Sequence, residues 1–321
     1  MDCAELWRLG TNTYIIGRQS PYILVDTGEG REEYIPILEE ALRDSAKSPY
    51  PSDPIVSDIV ITHLHKDHVG GVPSVLALLR RLWNETTSGN NLPFKPPRLH
   101  KFPHQPSTLD TDIDSVVGTL SPDDYIPNPI GSPFHDLSDF QIIPPGKLDG
   151  PQPTLQVLHT PGHTSDSICL YFRDEQALFT ADTILGHGTP VFEDLAAYMA
   201  SLQKMLEFAE TEKYMQLYPG HGPVVANGPS LIKSYIKHRL EREEQIVQVL
   251  STLPIVQSSD GGTDRWTTWK IVTVIYREYP ESLWLAAAHG VDLHLRKLEG
   301  EGKVKKVSGE DKDTEWELAR R

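Results

Sequence analysis

The chain has 321 residues and a formal net charge of −15, a length that suggests about two domains. Its 38% hydrophobic and 23% charged residues are those of a soluble globular protein; no apolar run approaches the ~18 residues of a membrane helix, and the acidity argues against a surface built mainly to hold nucleic acid phosphates. Two cysteines, Cys3 and Cys169, with no CxxC pair exclude a disulfide framework and a cysteine-based zinc site, and with no basic-then-apolar leader they point to free thiols in a reducing, cytoplasmic compartment.

From the N-terminus, residues 13–17 and 22–26 are apolar and β-branched, separated by Gly-Arg-Gln-Ser-Pro, and predict a β-hairpin. Ile35, Ile37, Leu38, Ala41 and Leu42 recur near helical spacing. Residues 57–62 read as a short buried strand running into a histidine-rich loop, and residues 72–82 as a helix. Between Pro93 and Pro153 the chain changes character, with 13 of the 26 prolines. Regular helix is not expected there. This stretch reads either as a disordered insertion or as an ordered loop over a site. Leu99, Phe102, Phe134, Leu137 and Phe140 favour partial order and could wall a pocket for an apolar substrate.

Strand signals resume at 154–158, 167–172, 177–180 and 215–218, with a helix over 195–209. Strands alternating with helices, with hairpins mixed in, predict an α/β protein with mixed sheets. Residues 230–250 form one long charged helix. Gly261 and Gly262 separate it from two helices, 267–279 and 283–299, and a strand at 303–307, an arrangement resembling a winged helix. A domain boundary is therefore expected near 230, giving units 1–230 and 231–321. The charge divides there too. Residues 1–235 carry 16 Lys+Arg against 30 Asp+Glu, a net of −14, and residues 236–321 carry 14 against 15, a net of −1.

The main chemical signal is Thr62-His63-Leu64-His65-Lys66-Asp67-His68. Directly after a strand, alternating His63 and His65 can point to one ion, and Asp67 and His68 can turn to a second. Imidazole and carboxylate suit zinc, and also manganese or iron. Solvated surface histidines would not be expected in this pattern after a buried strand. Three further strand ends fit: His163 after Pro161-Gly162, Asp182 in Phe179-Thr-Ala-Asp, and His221 after Pro219-Gly220. Each alone is a weak signal, since a lone strand-end histidine or aspartate is more often a satisfied capping residue.

Together with Asp26-Thr-Gly28, these ordered motifs resemble the metallo-β-lactamase superfamily over residues 11–225. The nearest branch holds lactamase-like endoribonucleases and fungal acyl-carrier-protein thioesterases of polyketide pathways. Gly10-Thr-Asn-Thr-Tyr14, His159-Thr-Pro-Gly-His-Thr164, Ile184-Leu-Gly186, Val191-Phe-Glu-Asp-Leu195, Tyr218-Pro-Gly-His-Gly-Pro223 and the C-terminal Asp292–Glu299 carry that likeness. The resemblance implies a four-layer αββα sandwich with a small winged-helix-like tail and two divalent metals at one edge, zinc by default, with manganese using the same residues. His63, His65 and His163 would hold the first metal, Asp67, His68 and His221 the second, and Asp182 would bridge them. Asp26 would hold the metal loop in place. Asp67 would also move the proton of the attacking water. His159 and His187 read as non-ligands, although His187, in Leu185-Gly-His-Gly-Thr189, belongs to a loop expected near the substrate.

Two substrates fit these motifs. One is an acyl or polyketide thioester on a carrier protein, hydrolysed by a metal-activated water. The other is single-stranded RNA. The −14 of the catalytic unit favours the thioester, because RNA binding draws on Lys and Arg. Carrier proteins are usually acidic as well, so either partner requires a local basic patch. A third reading, a binding module with a degenerate metal site, is disfavoured by the complete ligand pattern. The tail's balanced charge is not a basic footprint and points to packing or homodimerisation.

Overall fold

The computed structural model describes residues 10–45, 47–48, 50, 52–87, 92–104, 111–144, 154–252 and 265–319. Cys3 lies outside them. The two N-terminal apolar runs form the expected hairpin: β1 (Tyr14–Ile16) pairs antiparallel with β2 (Tyr22–Val25), Tyr14 opposite Val25. β3 (Val56–Ile61), β4 (Arg98–Lys101) and β5 (Phe134–Asp136) then add in parallel to complete a five-stranded sheet. A second sheet has the order β10-β9-β8-β7-β6. Its strands are β6 (Ile142–Ile143), β7 (Leu155–His159), β8 (Ile168–Phe172), β9 (Ala177–Ala181) and β10 (Gln216–Pro219), and only the β9–β10 pair is parallel.

Side-chain alternation builds the layers. Ile23, Val25 and Val60 point between the sheets, where they meet Val157, Leu170 and Phe179. Leu24, Ile59 and Ile61 point the other way, onto α1 (Tyr34–Asp44) and α3 (Val72–Thr87), which follows the single turn α2 (Lys66–Val69). Each such side chain contributes about 1.5–3 kcal/mol on full burial, and a one-residue slip would exchange the two faces. On the far side, Leu158, Tyr171, Leu178 and Leu217 pack against α5 (Leu195–Glu212) and the first half of α6 (Gly228–Leu250). This is the expected αββα sandwich.

The proline-rich stretch departs from its sequence reading. Its described residues supply β4 and β5, and α4 (Thr111–Val117) between them, and so are ordered parts of the sandwich rather than a loop over the site. Leu99 and Phe134 are core residues beneath α3. The polar strand residues have a specific reason: buried Asp58 on β3 takes His100 Nε2 at 2.7 Å and Arg98 Nε at 2.8 Å.

α6 runs unbroken through position 230. Ile232 and Tyr235 belong to the core of the second sheet, while Ile246, Val249 and Leu250 belong to the tail core. The tail consists of β11 (Trp266–Thr267), α7 (Thr268–Ile275), α8 (Trp284–Gly300), β12 (Val304–Ser308) and β13 (Glu315–Leu318) in a β11-β13-β12 sheet. The helix expected over 267–279 stops at Ile275 because β11 occupies its start and Tyr276 leaves helical geometry. No described helix is long and apolar enough to cross a membrane.

Candidate metal centre

Every candidate ligand leaves the end of a strand or the turn that follows it. β2 ends at Val25, and Asp26 adopts a left-handed φ of 58°. That conformation is uncommon outside glycine. Here it turns a buried carboxylate onto Thr62 N (2.8 Å), Thr62 Oγ1 (2.8 Å) and His68 Nδ1 (2.7 Å). Thr27 donates to the His68 carbonyl through its amide and its hydroxyl, both at 2.9 Å. The loop that leaves β3 is thus fixed at both ends by one Asp-Thr pair.

Three imidazole nitrogens meet in that loop's concave side. His63 Nε2, His65 Nδ1 and His163 Nε2 lie 3.0–3.2 Å apart. Tetrahedral Zn–N bonds of about 2.0–2.1 Å would put nitrogens about 3.3 Å apart. His163 Nδ1 stands 2.7 Å from the Val191 carbonyl. A carbonyl only accepts, so Nδ1 carries the proton and Nε2 presents its lone pair to the cluster.

Beside it stand Asp67, His68, His221 and Asp182. His221 Nε2 is 3.1 Å from Asp67 Oδ2 and 3.3 Å from Asp182 Oδ2, and His68 Nε2 is 3.4 Å from Asp182 Oδ1. His221 Nδ1 donates to the Gly10 carbonyl at 2.9 Å. His68 Nε2 and Asp182 Oδ1 are buried and make no hydrogen bond, an arrangement that is costly unless a cation is meant to occupy it. The groups His63/His65/His163, His63/His68/Asp182 and Asp67/His68/His221 each gather ligand atoms within 4.8 Å. The residues present therefore fit a pair of divalent ions.

The two groups differ in charge. Burial, reinforced by the neighbouring His68 and His163, holds His63 well below the ordinary imidazole value. Burial and then His163 bring His65 down to about 4. In the other group burial opposes the imidazolium, but the Asp182 and Asp67 carboxylates override it and raise His221 to about 10. Asp26 and Asp182 raise His68 in the same way.

A cavity of about 550 Å³ opens over this cluster. His65, Asp67, His163, Asp182 and His221 form its floor. Tyr34, Ile37, Leu185, Pro190 and Val191 give it an apolar wall, and Glu29, Arg31, Glu33 and Lys66 lie at its edge. Ile37 and Val191 are exposed at 65% and 58%. Among the described residues, none from the proline-rich stretch lines the cavity, against the expectation that Leu99, Phe102, Phe134, Leu137 and Phe140 would wall it. α1 and the loop of residues 185–191 do so instead.

All seven sequence-predicted ligands converge, and Asp26 supports their loop. His187 is exposed and is not among the cavity's lining residues, although Leu185, Pro190 and Val191 of the same loop are. His159 is turned away, stacked on Phe102 at 3.8 Å with Nε2 donating to the Ser165 carbonyl. Burial pushes the Cys169 thiol up to about 11, so it stays protonated and inert. Sequence reasoning passed over the supports. Thr11 Oγ1 donates to Asp67 Oδ2 at 3.2 Å, and Asn12 Nδ2 donates to the carbonyls of Pro219 and Gly222 on either side of His221. Their signal was the Gly10–Tyr14 segment, singled out above without a role.

An αββα sandwich with this ligand set at one edge defines a metal-dependent hydrolase. Residues 6–221 match the model of the metallo-beta-lactamase superfamily and residues 267–316 that of the beta-lactamase-associated winged helix domain, and the chain belongs to this superfamily. Among its relatives is the beta-lactamase-like protein 2 homolog of Drosophila melanogaster, 36% identical over 305 residues, 95% of this chain and 87% of the relative. Another is the atrochrysone carboxyl ACP thioesterase of Claviceps purpurea (strain 20.1), 32% identical over 297 residues, 92% and 76% of the two chains. A beta-lactamase domain protein from Burkholderia ambifaria shares the fold with a TM-score of 0.63 at 17% identity, covering 96% of this chain and 87% of its own.

Proposed function

We propose that the chain is a thioesterase that hydrolyses an acyl or polyketide thioester presented on an acyl carrier protein. The observation that carries this reading is the apolar wall of Tyr34, Ile37, Leu185, Pro190 and Val191 directly over the ligand cluster. An acyl chain loses water against such a wall at about 0.8 kcal/mol per CH₂, whereas a phosphodiester gains nothing from it. The thioesterase name of the Claviceps purpurea relative agrees. Residues 1–230 would form the catalytic unit and 231–321 a tail that shares α6 with it.

His63, His65 and His163 would hold one divalent ion, Asp67, His68 and His221 the other, and Asp182 both, with zinc as the first candidate. When bound, the metals supply an acidified water and a Lewis acid for the carbonyl. The chain's own residues supply the rest. The apolar wall seats the acyl chain and excludes water. The Val191 carbonyl fixes the His163 tautomer, and the Gly10 carbonyl fixes that of His221. Asp67, held by Thr11, accepts the proton of the attacking water and returns it to the departing thiolate.

The test is to incubate purified protein with an acyl-carrier thioester and, separately, with single-stranded RNA. Thiol release that a chelator abolishes and zinc restores is the expected result. RNA cleavage without thiol release would replace the thioesterase by an endoribonuclease.

A further inference from the structure

An acidic protein that must receive an acidic carrier needs a place where like charges do not meet. Among the described residues, every arginine except Arg239 and Arg242 stands in an ion pair with a carboxylate. In a chain with 45 acidic residues against 30 basic ones, two arginines left without an acid are unexpected. They lie three positions apart on α6, and hence on one face of it.

Neither guanidinium is loose. Arg239 Cζ lies 4.7 Å from the centre of the Phe192 ring and Arg242 Cζ 4.5 Å from that of Tyr276. Stacking fixes the planar group and leaves its edge N–H donors to an outside acceptor. Both side chains are half-buried; Arg239 Nε itself is buried without a hydrogen bond, so only the outer N–H groups of that guanidinium can meet a partner. The carboxylates nearest in sequence are taken: Glu243 by Lys297 at 2.8 Å and Glu241 by Lys237 at 3.7 Å. His238 between them is drawn below its ordinary pKa by burial and then by the two arginines, as expected in a positive field.

Arg239 also sits beside the cavity wall. One turn earlier on α6, the Tyr235 hydroxyl donates to the Gly188 carbonyl at 2.8 Å. Phe192, under Arg239, follows Val191, which lines the cavity and fixes His163. The Leu185–Phe192 loop thus has the ligand cluster on one side and Arg239 on the other, with Arg242 one turn further along α6.

We propose that Arg239 and Arg242 form the docking site for the acidic surface of the acyl carrier protein that delivers the thioester. This rests on the thioesterase reading above. Charge complementarity selects the occupant, because residues 1–235, at −14, repel an acidic partner and the two arginines stand just beyond them. RNA is the less favoured occupant, since two stacked arginines on one turn give no groove of cations along which a phosphate backbone could run.

The test compares an acidic acyl carrier protein loaded with an octanoyl thioester with the small octanoyl-N-acetylcysteamine thioester. For Arg239→Gln/Arg242→Gln, the ratio of kcat/KM for the carrier-bound over the small substrate should fall on the order of tenfold, through KM, as for loss of a close interfacial charge pair. Arg239→Lys/Arg242→Lys should recover part of the loss, and added salt should erode the wild-type ratio. If the double variant misfolds by circular dichroism, Arg242→Gln alone, whose ring contact lies in the tail, carries the same readout. Equal losses on both substrates would reduce the pair to loop support, and an unmoved ratio would remove its role altogether. In either case the thioesterase reading stands. A wild-type protein inert on both thioesters removes that reading and this inference with it. Arginine-dependent binding of a single-stranded oligouridine that the carrier cannot displace would assign the site to nucleic acid instead.

Discussion

The candidate metal centre has two unlike halves. His63 and His65 are imidazoles held below the ordinary pKa range, chiefly by burial, and they share their half with His163; a hydroxyl and a backbone carbonyl support them. Asp67, His68, His221 and Asp182 form a proton-holding network, with His221 raised to about 10 and Asp67 lowered to about 2. The first half is ready to donate lone pairs at neutral pH. The second must give up protons before it can do so. Metals bound in the two halves, with Asp182 between them as proposed, should therefore differ in affinity and in pH dependence.

The largest expected effect comes from removing what the halves share. Asp182→Ala should lower turnover on the order of 10³-fold or more and deplete both metals, measured by elemental analysis beside activity. Two metals retained in that variant would break the bridging role. His65→Ala should remove the metal of the imidazole half while the other stays. Asp26→Asn acts through the His68 loop and should weaken metal affinity about 10–100-fold, the usual cost of losing a carboxylate behind a metal-binding histidine; competition against a chromogenic chelator measures it. The pH behaviour follows from sign. In the metal-free protein the His221 ion pair stabilises the fold fully below about pH 6.5 and is lost as pH rises through about 10. At neutral pH, metal entering that half must expel protons. Zinc titration by calorimetry in two buffers of different ionisation heat should show proton release in the weaker binding phase and little in the tighter one. Equal release in both phases would erase the distinction. The smallest effect is that of Thr11→Val, which removes one hydrogen bond to the ionised Asp67 carboxylate, worth about 1.5–3 kcal/mol; it should slow turnover on the order of tenfold and leave the imidazole half untouched.

The candidate ligands were legible because they obey a local rule: an apolar strand runs straight into polar side chains that can hold a metal. Ile59–Ile61 before His63 and Phe179–Ala181 before Asp182 could each be read without the fold. β4 and β5 were not legible, because their pattern answers a distant partner. Arg98 and His100 are polar strand residues only because Asp58 is buried opposite them, and prolines on both sides hide strands of 4 and 3 residues. The cavity wall was hidden for a related reason. Tyr34 and Ile37 read as ordinary positions on an amphipathic helix, and nothing in the helix itself says that one edge of it faces the ligand cluster. The interlocking glycines were visible as Pro-Gly turns, but not their reason. A Cβ on Gly162 would meet the Tyr198 backbone at 2.4 Å, and one on Gly220 would meet Asp182 Oδ1 at 2.4 Å.

The candidate ligands come from both sheets, and this has a mechanical consequence. His63 and His163 face each other across 100 positions of chain, one leaving β3 and the other following β7. An ion held between them would act as a cross-link that closes a long loop and ties the ends of two sheets otherwise joined by apolar packing and a few polar links, such as Tyr14 Oη to the Pro219 carbonyl. Closing a loop of that length removes several kcal/mol of chain entropy from the unfolded state, about 4.7 kcal/mol on the scale used for covalent cross-links. Metal supply would then set how long the sandwich survives as well as whether it turns over substrate. A chelated sample should begin to unfold at the ligand-bearing edge, while the tail core around Trp266 and Trp316 still protects its amides from exchange.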